Sequence, residues 1–346
     1  MNAKSVALQV LTLPAMLRAF TPFTRDVGII LMMHRFADPE LGTPGHNATG
    51  LRSNLEFLRS NNFTLLRVDE LIGRIERGES ITRCVAFTVD DGYADFATVG
   101  AEVFACYDCP VTVFLATGFI DGESWYWWDK IELVIMSTSR QSCRFSVDGE
   151  EIAFDLTSRW ARTQAIATMV EWVKRVDDAR KEEAIMRLSE AADVEIARHA
   201  PARYAPLTWD SCRRLESAGA SFGPHTVSHP VLSRVSDERA SAEIATSWDR
   251  VQAELRDPVS VFCYPVGTSD DITSRDLDLA QHHGLRMGVS AIPGFITADM
   301  AGRERFALPR FGYPEESDQF RQIVGGLERA KSVLRDRLAR SRAQGV

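Results

Sequence analysis

Six short apolar runs, at residues 28–33, 84–89, 111–116, 220–223, 260–264 and 286–290, alternate with segments of helical periodicity, and this alternation constrains the fold most. Runs of that length suit buried strands. Strands separated by helix-length segments pair in parallel through helical crossovers, which predicts an α/β fold. The predicted helices are 51–61, 68–77, 94–106, 208–218, 236–255 and 274–283. Leu51, Leu55 and Leu58 fall on one helical face. Asp69 and Glu70 sit where acids favour a helix N-terminus.

Residues 125–205 break the rhythm. They open with Trp125-Tyr126-Trp127-Trp128. A segment alternating about Asp148-Gly149 then predicts a hairpin, and two helical runs follow at 158–174 and 178–193. This stretch reads as an insertion between two strands, serving either as packing or as one wall of a substrate groove.

Composition excludes several function classes. The chain has 346 residues, 45% of them hydrophobic and 25% charged, which rules out a disordered or fibrous protein. Forty basic against 48 acidic residues give a net charge of −8, which offers nucleic acid no general attraction. The basic residues near the C-terminus read as a solvated helix face. Six cysteines at irregular spacing suit free thiols in a reducing compartment, and Cys106-x-x-Cys109 has no second pair with which to build a zinc site. No apolar run reaches the ~18 residues of a membrane-spanning helix. Residues 5–17 are apolar but are followed at once by Arg18. They read as a helix lying on the protein or weakly on a membrane surface rather than as an export signal. The expectation is a cytoplasmic protein, membrane-peripheral at most.

Two segments carry chemistry. Thr88-Val89-Asp90-Asp91-Gly92-Tyr93 follows an apolar run. Adjacent carboxylates there raise one another's pKa unless a cation compensates. The alternative is a helix N-cap turn, where Asp is also favoured. His225-x-x-x-His229 follows the 220–223 run. Two imidazoles at i and i+4 share a helical face and converge on one metal ion. With one Asp they leave a coordination position for water, the pattern of a catalytic site.

These segments resemble the first two motifs of the NodB-homology polysaccharide deacetylases, carbohydrate esterase family 4. Leu31-Met32-Met33-His34-Arg35 resembles the "YHR" strand of one branch. Phe262-Cys263-Tyr264-Pro265-Val266-Gly267 resembles its "FAYPYG" strand end, Leu308-Pro309-Arg310 its "LPR" element, and Trp127-Trp128-Asp129 also has a counterpart there. The resemblance spans roughly residues 28–312. It implies a distorted (β/α) barrel over 25–315 that carries the 125–205 insertion, flanked by an N-terminal helical segment (1–24) and a C-terminal helix (316–346).

The resemblance also implies roles. Asp91, His225 and His229 hold a divalent metal, most simply zinc, with cobalt, nickel, manganese or iron as substitutes. Asp90 is the general base on water, His34 the acid for the leaving sugar nitrogen, and the Val266 N–H the oxyanion donor. Tyr93, Tyr264, Trp127 and Trp128 are the sugar-stacking candidates.

Three departures stand out. The usual "TFDD" reads Thr-Val-Asp-Asp, Val266 replaces an aromatic residue, and Cys263 stands where that branch has an arginine. Arg310 could supply the missing guanidinium to Asp90. The implied function is removal of an N-acetyl group from an amino sugar of a glycan or glycolipid. The alternatives are a deformylase or amidase on a lipid-linked sugar or small cyclic amide, and a catalytically silent carbohydrate-binding relative.

Overall fold

The computed structural model describes residues 20–343. The apolar run 5–17, most of the expected N-terminal segment and the last three residues of the expected C-terminal helix lie outside them. The strands are β1 Val27–Met33, β2 Thr64–Leu66, β3 Cys84–Val89, β4 Val111–Leu115, β5 Ser142–Val147, β6 Glu150–Asp155, β7 Ser221–Pro224, β8 Val261–Cys263, β9 Met287–Val289, β10 Ile296–Thr297 and β11 Phe311–Gly312. The longer helices are α1 Ala48–Ser60, α2 Val68–Glu76, α3 Ala101–Cys106, α4 Trp127–Ser137, α5 Arg159–Val173, α6 Asp178–Ala192, α7 Trp209–Ser217, α8 Asp237–Glu254, α9 Ser274–His282, α10 Ser317–Val324 and α11 Leu327–Ala343.

The main sheet has the spine β10-β1-β3-β4-β7, with β11 on β1 and β2 on β3. Every pairing in it is parallel except β1 with β10. β8 and β9 form a second parallel pair. Just ahead of β8, the Val259 N–H donates to Phe222 O at 2.8 Å and ties that pair to β7. Val289 bridges Leu308 in parallel, three residues before β11 returns to β1.

β3 and β4 are buried at every residue, which is why each reads as an unbroken apolar run. Alternate residues serve opposite faces. Ile29, Leu31 and Met33 of β1 join a cluster with Leu51, Leu55 and Leu58 of α1. Ile30 joins Leu71 and Ile72 of α2, with Val261 and Val289, on the other face. Because the strands run together, their C-terminal ends open on one side, where sites gather in α/β folds.

The stretch from α4 to α6 packs as a body with its own core. Ile131 and Val134 of α4 meet Phe145 and Phe154 of the hairpin, Met169 of α5 and Leu188 of α6. Asp148 and Gly149 both take positive φ, +49° and +82°, as a two-residue I′ turn requires. In this body one helix, α4, escaped the sequence reading. α4 has no side-chain cap at Tyr126 and an apolar composition that hides its period.

Candidate active site

His34 follows β1, Asp90 and Asp91 follow β3, His225 and His229 follow β7, Tyr264 and Val266 follow β8, and Arg310 precedes β11; all border one cavity of about 600 Å³. The turn after β3 depends on Gly92. Its φ is +84°, and a Cβ there would meet Ile120 and Leu115 at 2.9 Å. Asp91, Thr226, His229 and Val266 also take positive φ. For the β-branched Thr226 and Val266 this is strained backbone, of the kind held at functional sites.

The two histidines meet, but not on a helix. Residues 225–229 form a loop, and Pro230 after His229 disfavours helical backbone there. The i, i+4 spacing therefore pointed to a pair that does meet, but through a different geometry. Their ring centroids lie 4.7 Å apart. His225 Nε2 and His229 Nε2 stand 3.4 and 3.5 Å from the same Asp91 Oδ1. That buried oxygen has no hydrogen-bond partner among the described residues. Nitrogen and oxygen ligands about 2.0–2.1 Å from one tetrahedral ion stand roughly 3.3 Å apart, so three donors placed this way fit a divalent metal.

The surroundings set the donors' states. The Nδ1 of His225 lies 2.7 Å from the Cys263 carbonyl, which can only accept, so Nδ1 carries a proton and Nε2 is the nitrogen turned to Asp91. Burial lowers this imidazole's pKa, but its neighbours outweigh that and raise it well above the ordinary value, so an ion at Nε2 would take the place of a proton. Burial, then the neighbouring His225, push His229 down to about 3, so its imidazole is neutral and free to ligate. The Tyr126 hydroxyl donates to the Asp91 carbonyl at 2.7 Å. The histidine loop is held from below by Glu243 of α8, a residue with no signal in the sequence. Its carboxylate accepts the Val227 and Ser228 N–H groups at 2.8 and 2.9 Å, and the Ser228 hydroxyl.

Asp90 lies beside the triad and takes no part in it. Arg310, 1% exposed, grips it with two bonds, Nη1 to Oδ1 at 2.7 Å and Nη2 to Oδ2 at 2.8 Å. All five guanidinium N–H groups are used, the other acceptors being the Ser290 carbonyl, Thr88 Oγ1 and Cys263 Sγ. Burial alone would raise Asp90, but the Arg310 charge and hydrogen bonds outweigh it and hold the carboxyl well below the usual range. Small Cys263 leaves room for the guanidinium that enters from Arg310.

His34 stands at the mouth, 45% exposed, with Nε2 3.9 Å from Asp90 Oδ2. The Val266 N–H donates to no described residue. Two of the four stacking candidates need correcting. Tyr93 and Tyr264 border the cavity but are 1% and 2% exposed. The Arg35 guanidinium lies over the Tyr93 ring at 3.9 Å, and the Tyr264 ring packs against Phe262 and Gly288. Neither ring has a free face for a sugar. Trp127 and Trp128 are half-buried on the cavity wall. One face of Trp128 is covered by Tyr126, with ring centroids 4.3 Å apart.

Asp129 locks the insertion to the site. It accepts the Tyr93 hydroxyl at 2.6 Å, and that hydroxyl in turn accepts Trp128 Nε1 at 3.0 Å. Burial pushes Asp129 up to about 7, against the opposing Tyr93 hydrogen bond and Arg35 charge. Between roughly pH 4 and pH 7 the folded chain thus keeps a proton that the unfolded chain has lost. Stability contributed by this group is full below that window and falls through it as pH rises. Asp129→Asn keeps the acceptor oxygen and loses the charge. Its melting temperature should exceed that of the wild type at about pH 8 by the equivalent of a few kcal/mol, with the gap closing near pH 4. Parallel melting curves over that range would contradict the assignment.

The remaining histidines lie off the site. His46 pairs with Glu315, His283 bonds Ser241, and His199 is exposed. All six cysteines are free, and no helix among the described residues is long and apolar enough to cross a membrane.

Residues 161–288 match the family model for polysaccharide deacetylase, a span that includes His225 and His229 but ends short of Arg310 and begins after Asp91. No curated protein matches the chain in sequence. The Streptococcus pyogenes deacetylase PplD in complex with acetate is 18% identical, with a TM-score of 0.53 over 84% of this chain and 93% of that one. IcaB from Ammonifex degensii is 12% identical, with a TM-score of 0.54 over 87% and 97%. The deacetylase domain of BpsB from Bordetella bronchiseptica is 15% identical, with a TM-score of 0.50 over 82% and 95%. The mostly parallel α/β fold is thus that of the NodB-type deacetylases. The family match makes residues 161–288 similar to part of a polysaccharide deacetylase domain.

Proposed function

We propose that this chain is a metal-dependent hydrolase that removes an N-acetyl group from an amino sugar of a glycan or glycolipid. The observation that carries the reading is the orphaned Asp91 Oδ1 between two imidazole nitrogens, with an ionised carboxylate, Asp90, alongside. Asp91, His225 and His229 would hold the ion, and a divalent metal there supplies a lowered water pKa and a polarised acetyl carbonyl.

The chain's own groups do the rest. Asp90 accepts a proton from the attacking water, and Arg310 keeps it ionised and aimed. The unpaired Val266 N–H faces the oxygen on which negative charge develops. His34, exposed at the mouth, gives a proton to the departing sugar nitrogen. Trp127 offers an apolar surface to the sugar ring.

The test is acetate release from N-acetylglucosamine oligomers by protein loaded with zinc or cobalt and by protein stripped with a chelator. Release that depends on added metal supports the reading. Loaded protein that frees formate from N-formyl sugars and no acetate from any N-acetyl sugar would overturn it.

A further inference from the structure

We infer that the substrate is a terminal acetamido sugar, at the end of a glycan or on a short glycoconjugate, and not an internal unit of a long polymer. The inference rests on the deacetylase reading above and specifies its substrate.

A polymer deacetylated at internal units must leave the metal site in two directions. One of those directions is walled. Trp128 stands edge-on to His229 with ring centroids 4.9 Å apart, so an aromatic side chain fills that flank of the metal triad. Above it, Val170 and Lys174 of the α5 region reach the same cavity, although they lie some eighty residues beyond Asp91 in sequence.

Of the spaces across Trp127, one of about 210 Å³ lies between Trp125–Trp127 and Val227–Ser228, away from His229. The one that borders His229 is only about 30 Å³, where Val173, Val176 and Asp177 of the insertion face Val231, Arg234 and Val235 after β7. That is room for about one or two waters, not a sugar ring. Trp127, Lys174, His229 and Val266 line both this small space and the main cavity, so they stand where the two meet.

The wall is also built to stay in place. The Trp128–Tyr93–Asp129 hydrogen bonds pin α4 at its first turn. Arg35 joins Asp95 and the Arg203 carbonyl, and Arg203 pairs with Glu132 of α4. A cavity of about 600 Å³ closed on one flank is the size that buries a small oligosaccharide end.

The experiment has two arms. Metal-loaded wild type is given a ladder of N-acetylglucosamine oligomers, dimer to hexamer, and products are sequenced by fragmentation mass spectrometry. The expected result is one acetyl group lost per chain, always at the same end, at a rate that does not grow with length. In the second arm, the same ladder is titrated into Asp90→Asn protein and followed by tryptophan fluorescence. Affinity should level off beyond the trimer. Internal or multiple deacetylation, or affinity that climbs steadily to the hexamer, would overturn the inference and leave the deacetylase reading intact. No acetate from any oligomer would instead strike the deacetylase reading, and this inference with it.

Discussion

Asp90→Asn should lower turnover by about 10²–10⁴-fold, the usual cost of losing a general base, while metal content stays at the wild-type level. The amide keeps the shape of the carboxylate but cannot take a proton from water. The separation of the two effects follows from geometry. Asp90 is gripped by Arg310, whereas the two candidate imidazole ligands converge on a different carboxylate, Asp91. Steady-state kinetics with metal analysis of the same samples would check this. Near-normal turnover would remove Asp90 from the reaction.

Arg310→Ala should be the most damaging single change outside the ligand set. It leaves a fully buried carboxylate without its cation, a loss that costs about 3–5 kcal/mol in comparable buried pairs. Five hydrogen bonds go with it. Turnover should fall as well, with a distinctive pH signature. Burial raises an acid's pKa and Arg310 is what holds Asp90 down, so without it the base protonates at higher pH. The acid limb of the pH–rate profile should therefore move upward. Arg310→Lys restores charge without the two-pronged geometry and should recover part of the stability. Unchanged turnover and an unmoved acid limb in the alanine variant would show that the pair is structural only.

Much of this arrangement was legible in the sequence, and the gaps have physical causes. β1, β3 and β4 could be read because strands covered on both faces must be apolar throughout. β2, β10 and β11 are two or three residues long and were not read. That Asp91, His225 and His229 come together was readable from residue type and spacing. Their geometry was not, because a loop with left-handed residues does what a helix was expected to do.

Long-range partners were hardest. Arg310 lies 220 residues from Asp90, and only the resemblance pointed to it. Glu243, Tyr126 and the Arg35–Asp95 pair act through backbone groups and buried partners that no local pattern announces. The aromatic rings misled for a different reason. An aromatic residue beside a site satisfies core packing and sugar stacking equally well in sequence, and burial assigned Tyr93 and Tyr264 to packing.

The central claim is that Asp91, His225 and His229 bind one divalent ion together. Titration of zinc or cobalt into chelator-stripped protein tests it most directly, comparing wild type with Asp91→Ala, His225→Ala and His229→Ala, with circular dichroism confirming that each variant is folded. The account predicts one tight site per chain in the wild type and its loss in each folded variant. Wild-type affinity retained in any of the three, or no tight site in the wild type, would contradict it.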